Sequence, residues 1–146
     1  MSTTVESKQE WLIGTHLVTP RFGYQHHGIY IGSGKVLHYA GLCEWNHIGP
    51  VEEIDLIAFA AGHAIEVREH PKAKYYGHIA VARARSRLGE RSYSLLKNNC
   101  EHFCTWCIDG ISYSDQVAAL LMMPVEFTTR LITWLRGVWP QRLRTA

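Results

Sequence analysis

The chain has 146 residues, 47% of them hydrophobic and 19% charged, with a formal net charge of +2. That size and balance suit one globular domain with a real core. The charge is too small, and the lysines and arginines too scattered, to indicate a nucleic-acid partner. Residues 1–10 are polar and carry no apolar run, so they are expected to form a disordered lead-in rather than a signal peptide.

From Trp11 the chain becomes strand-like, in Leu12-Ile13 and then His16-Leu17-Val18 ahead of Pro20. The pattern resumes from Tyr24 to Ile31, turns at Gly32-Ser33-Gly34-Lys35 and returns from Val36 to Tyr39, which predicts a β-hairpin. Residues 40–64 look irregular at first, with a strand at Val51–Ile54 and a short helix from Leu56 to Ala61 for which Asp55 is a candidate cap. A brief strand at Ile65–Val67 follows. Apolar spacing predicts a helix from Tyr76 to Leu88, stopped by Gly89.

Asn98-Asn99 then opens a further helix, Cys100-Glu101-His102-Phe103-Cys104-Thr105-Trp106-Cys107, expected to end at Gly110. This places Cys100 in the first turn, where unpaired N–H groups and the helix dipole favour a thiolate. A cysteine so placed is a candidate nucleophile, and it requires a histidine from elsewhere as base. Three of the four cysteines crowd into residues 100–107, unlike a disulfide framework, and with no export signal the expectation is a reducing, cytoplasmic chain with free thiols. Cys104 and Cys107 match a C-x-x-C spacing, but no second ligand pair accompanies them. They read as buried thiols on the face they share with Cys100, with no metal and no cofactor implied.

The last segment, residues 113–146, reads as a separate amphipathic helix. Val117, Leu120, Leu121, Phe127, Leu131, Leu135 and Val138 approximate one stripe, and Pro124 is expected to kink or divide it. Glu126, Arg130 and Arg136 oppose a membrane-spanning role. Four arginines and no acid from Arg130 onward, with Trp134 and Trp139 among them, suit peripheral contact with an anionic membrane through residues 115–139. Packing on the domain itself or on a partner subunit is the alternative.

Strand parity decides what the histidines can do. Tyr24, His26, Gly28 and Tyr30 share one face, and Gln25, His27, Ile29 and Ile31, richer in aliphatic bulk, share the other. On this reading Gly28 beside His26 leaves room for a substrate. A two-residue turn at Ser33-Gly34 sets His38 on the face of His27, whereas a three-residue loop sets it beside His26; the sequence leaves both open. His102 is a poor base for Cys100, because residues two apart on a helix do not face each other. His16, His47, His63, His70 and His78 read as surface or satisfied core histidines.

His26-His27-Gly28-Ile29-Tyr30-Ile31-Gly32, His38 and Asn99-Cys100-Glu101-His102-Phe103, with Arg87-Leu88-Gly89-Glu90 and Tyr93, resemble the lecithin:retinol acyltransferase family across residues 13–110. That family includes the phospholipase/acyltransferases of the HRAS-like suppressor group and belongs to the NlpC/P60 superfamily in a permuted order. The resemblance implies an α+β, papain-like catalytic domain over residues 11–112, its small antiparallel sheet packed on the cysteine helix. It implies Cys100 as nucleophile, His26 as base, His38 as third polar residue, and Tyr24 near the oxyanion, acting without metal or cofactor. The implied substrate is a glycerophospholipid, whose acyl group passes through a Cys100 thioester to water or an acceptor. His27 replaces a residue commonly aromatic in the family, and the charged, Pro-interrupted tail counts against retinol as acceptor. An NlpC/P60-like peptidase or amidase, and a non-enzymatic membrane- or partner-binding module, are the competing readings.

Overall fold

The computed structural model describes residues 11–44, 47–123, 127 and 129–133. Its elements are β1 His16–Arg21, β2 Tyr24–Gly32, β3 Lys35–Glu44, β4 His47–Asp55, α1 Leu56–Ala60, β5 Glu66–Val67, α2 Gly77–Arg85, α3 Cys100–Asp109 and α4 Asp115–Leu121. The chain divides into two compact units, residues 1–114 and 115–146.

In the first unit the five strands form one sheet in the order β4-β3-β2-β1-β5, antiparallel throughout. Helices α2 and α3 cover one face, where Ile29, Leu37, Tyr39 and Val51 meet Ala80, Ala84, Phe103 and Cys104. Phe59 of α1 covers the other with Leu17, Tyr30 and Val36. Both faces of the β2–β3 hairpin are therefore buried. Pro20 is accommodated because β5 pairs only with Leu17 and Val18, so the missing N–H falls beyond the β5 ladder.

The hairpin joins features of both turn alternatives. Ser33 and Gly34, at φ 52° and 67°, form a two-residue turn that pairs Gly32 with Lys35. A bulge between Tyr30 and Gly32 then shifts the register by one, so that His38 lies opposite Gly28 and on the face of His26.

Four expectations are corrected. Residues 11–15 are a turn rather than a strand: Gly14 has φ +86°, and a Cβ there would meet the Gly77 main chain at 2.7 Å. The stretch after Tyr39 is not irregular, because β3 runs to Glu44 and β4 starts at His47, paired from Lys35/Asp55 to Glu44/His47. Gly41, at φ +70°, sits inside that ladder because Tyr93 occupies the space a side chain would need. Asp55 holds the N-cap position without capping, and its carboxylate instead pairs with Lys35 at 2.9 Å. The helix expected over 76–88 is regular only from Gly77 to Arg85, after which tight turns lead to Gly89, whose N–H bonds Val51 O.

The second unit contains α4 and further helical residues at 127 and 129–133. Pro124, Trp134, Leu135, Arg136, Val138 and Trp139 lie outside the described residues, as do residues 1–10. Among the described residues no helix is long and apolar enough to cross a membrane.

Candidate active site

Cys100 is the first residue of α3, and local chemistry puts it there. Asn99 is the N-cap: its side chain accepts from the N–H groups of Glu101 and His102, each at 3.0 Å. His102 Nδ1 accepts in turn from the Asn99 N–H at 3.3 Å, closing a capping box. His102 thus serves the helix start. Asn99 Nδ2 also donates to Leu95 O, tying the preceding loop to the cap. Further back, Arg87 holds Glu90 through two hydrogen bonds, and Asn98 bridges both side chains. Arg87 keeps the Glu90 carboxyl down at about 2. The Arg87-Leu88-Gly89-Glu90 stretch is therefore an anchor for the loop that delivers Cys100.

The sulfur comes to rest against β2. Cys100 Sγ lies 3.9 Å from Gln25 O, and the His27 main-chain N–H is directed at it, so it touches the strand on both sides of His26. Alternation explains the opening. Tyr30 exchanges main-chain bonds with Gly14 and Thr15 on the β1 side, so Gln25 and His27 direct theirs toward β3. The β2–β3 ladder extends only from Gly32/Lys35 to Gly28/His38, while β3 continues against β4. The helix start projects its sulfur into the gap where the two strands part.

His26 and His38 flank that gap on the Phe59 side. His26 Nε2 and His38 Nδ1 are 2.7 Å apart, and the Phe59 ring lies 5.4 Å from that of His26. Tyr24, half-exposed at the start of β2, sets its ring edge-on to His26 at 6.4 Å. Cys100, His26 and His38 are all buried, at 3%, 6% and 6% exposure. The space beside Gly28 is not left for a substrate: Val36 and Phe59 fill it.

Burial also decides the charges. It pushes the Cys100 thiol up to about 11, outweighing the N–H groups that favour the thiolate. It lowers His26 to about 3, with His38 and Arg21 adding to the effect, and it lowers His38 despite the Glu52 carboxylate. The resting pair is a neutral thiol and a neutral imidazole. The thiolate expected from the helix start is not favoured, because removal from water costs more than one helix terminus returns. Cys104 and Cys107, buried against the core, have thiols raised for the same reason.

A second polar row escaped the sequence reading. His27 Nδ1 meets His16 Nε2 at 2.8 Å, His16 Nδ1 meets His70 Nε2 at 2.7 Å, and His70 Nδ1 meets Asp109 Oδ2 at 2.8 Å. These residues come from β2, β1, the segment after β5 and the end of α3, so no local pattern announces them. A concavity of about 340 Å³, lined in part by His16, Arg68, His70 and Tyr75, opens beside this row. Beneath Cys100, the fully buried Glu101 is neutralised by Arg68 at 2.8 Å and accepts from the Ser114 hydroxyl.

The antiparallel sheet and its covering helices define a protein of the α+β class, with a helix-borne thiol and a histidine pair from a β-hairpin set about one break in the sheet. Comparison with known proteins narrows the class. A model of the lecithin retinol acyltransferase family matches residues 9–113, and the chain belongs to that family. It is 32% identical to phospholipase A and acyltransferase 2 of Homo sapiens over 121 residues, covering 72% of this chain and 75% of that protein. It is 32% identical to lecithin retinol acyltransferase of Bos taurus over 140 residues, covering 77% of this chain and 61% of that one. Phospholipase A and acyltransferase 4 of Homo sapiens is 27% identical over 113 residues, covering 66% and 69%.

Proposed function

We propose that the chain is a thiol-dependent phospholipase A/acyltransferase, in which Cys100 accepts the acyl group of a glycerophospholipid and passes it to water or to an acceptor alcohol or amine. One observation carries the reading: Cys100 Sγ meets the main chain on both sides of His26, whose ring is paired to His38 at 2.7 Å. Family membership supports the substrate class, since the relatives are named for phospholipase A and acyltransferase activity.

In this mechanism His26 uses Nε2 toward His38, and its Nδ1, nearer the main chain, removes the thiol proton as sulfur attacks the ester carbonyl. A C–S bond forms, the tetrahedral intermediate expels the glycerol oxygen, and His26 returns the proton to that oxygen. A thioester remains on Cys100. Water or an acceptor attacks it with the same imidazole as base. Asn99 occupies the N–H groups of Glu101 and His102, and the oxyanion donors assigned here are the Cys100 N–H and the Tyr24 hydroxyl, each worth about 3 kcal/mol. The neutral resting pair forms the nucleophile during attack.

The catalytic unit spans residues 11–112 as a permuted NlpC/P60 domain. The chain is cytoplasmic and docks peripherally on membrane through residues 115–139. Incubation of the full chain with phosphatidylcholine, followed by intact mass measurement and peptide mapping, is expected to show one acyl group on Cys100. Full release of fatty acid by Cys100→Ala would refute the thioester. Amine release from peptide substrates without fatty acid would instead establish the amidase.

A further inference from the structure

Glu52 takes no part in the site as the sequence describes it, yet β4 sets it directly across the ladder from His38. Its Oε1 lies 3.3 Å from His38 Nε2. That approach is an ion-pair contact rather than an aligned hydrogen bond, and no other partner reaches this buried nitrogen among the described residues. The other nitrogen of the ring, Nδ1, meets His26 Nε2 at 2.7 Å. The three side chains form a row from a half-exposed carboxylate on β4, across β3, to the imidazole on β2.

Protons along such a row are not placed at will. A carboxylate only accepts, so it holds a proton on His38 Nε2. A neutral imidazole carries one N–H, which makes His38 Nδ1 an acceptor. Only an N–H at His26 Nε2 can satisfy it, and His26 Nδ1 is left bare. With the carboxylate absent, His38 is able to carry its proton on Nδ1. His26 must then accept at Nε2 and keep its own proton on Nδ1, where it cannot take one from a thiol.

We propose that Glu52 is a positioning residue: acting through His38, it selects the tautomer in which His26 Nδ1 is the base. The proposal rests on the reading of Cys100 and His26 as nucleophile and base. The other charged group close to His38, Arg21, donates to the carbonyl oxygens of Phe59 and Ala60 and offers no competing acceptor.

The test uses the full chain labelled with ¹⁵N at neutral pH, with long-range ¹H–¹⁵N correlation to read which nitrogen of each ring bears the proton. The wild type is expected to show Nε2–H on both His26 and His38. Glu52→Gln, which keeps the shape, and Glu52→Ala are both expected to populate the Nδ1–H form of both rings. Their kcat for fatty acid release from phosphatidylcholine should fall about tenfold or more with KM little changed, as when a triad loses its orienting carboxylate. Glu53→Ala, which removes an equal charge facing Arg85, should behave as wild type in both measurements. Unchanged tautomers in the two Glu52 variants overturn the proposal whatever the activity does. If the tautomers shift as expected while the wild type itself releases no fatty acid, the row stands and the acyl-transfer reading falls.

Discussion

One methyl group added at Gly28 tests how the histidine pair is braced. A Cβ there would stand 2.5 Å from Val36 Cγ1, 2.8 Å from Phe59 Cε2 and 3.2 Å from Leu37 O. Carbon atoms prefer about 3.5–4.0 Å, so both side chains must yield by most of an ångström. Gly28 is not among the positive-φ glycines, so the cost is steric alone. Val36 and Phe59 are completely buried, and overfilling such a site costs about 1–3 kcal/mol. Phe59 is the part able to move, and its ring lies 5.4 Å from that of His26 and 6.2 Å from that of His38. Gly28→Ala is therefore expected to lower stability by about 2 kcal/mol in urea unfolding and to slow acyl transfer. Phe59→Leu empties part of the same space, so the double variant should be less destabilised than the two single losses summed, by about 1 kcal/mol. Additive losses, or a Gly28→Ala protein within about 0.5 kcal/mol of wild type, would show that Phe59 does not fill this space.

Acid should unfold the protein early. Folding lowers His26 to about 3 and His27 to about 4, and lowers His16 and His38, in each case chiefly by burial. Below pH 6.5 the unfolded chain binds more protons, so stability is complete above that value and is lost as pH falls, at up to about 1.4 kcal/mol per pH unit for each histidine; a urea midpoint unchanged between pH 7 and 5 would contradict this. Alkylation of Cys100 by iodoacetamide, mapped by peptide mass, should accelerate about tenfold per pH unit between pH 7 and 9, because the thiol lies near 11 and only the thiolate reacts. A rate already level at pH 7 would disprove the neutral resting pair. Asn99→Ala removes the acceptor for two N–H groups and should cost about 1–2 kcal/mol, together with slower acyl transfer; a loss confined to stability would mean that the cap does not position Cys100.

What the sequence reveals is the local part of this structure. The cysteine helix is legible because its start and stop are written in adjacent residues: Asn99 supplies the acceptor, and Gly110, at φ +79°, takes the left-handed position at the C-cap. The hairpin is legible as a hairpin, but its register is not. Turn composition identifies Ser33-Gly34, whereas the extra residue at Ile31, which carries His38 to the side of His26, leaves no trace in the turn itself. Gly28 illustrates a different limit. A missing side chain shows that something comes close, but only the fold tells that the neighbour is Phe59, thirty-one positions further along the chain. The row from His27 to Asp109 is invisible for the same reason, since it joins four separate segments.

That second row bears on which of the two adjacent histidines can act on the thiol. Asp109 accepts from His70 Nδ1, so with an uncharged His70 ring the other nitrogen, Nε2, accepts from His16 Nδ1, and His16 Nε2 from His27 Nδ1. His27 therefore carries its proton on the nitrogen nearer the main chain, already committed to His16. His26 ends a row of the opposite sense, in which Nε2 is the donor and Nδ1 is bare. Two imidazoles flank the stretch of β2 that the sulfur touches, and the carboxylates at the far ends of their rows give them opposite proton placements. Only His26 presents an unprotonated nitrogen close to the strand. On this argument the choice of base follows from proton placement: Asp109→Asn should leave the base on His26, whereas His26→Gln should abolish acyl transfer with no rescue by His27.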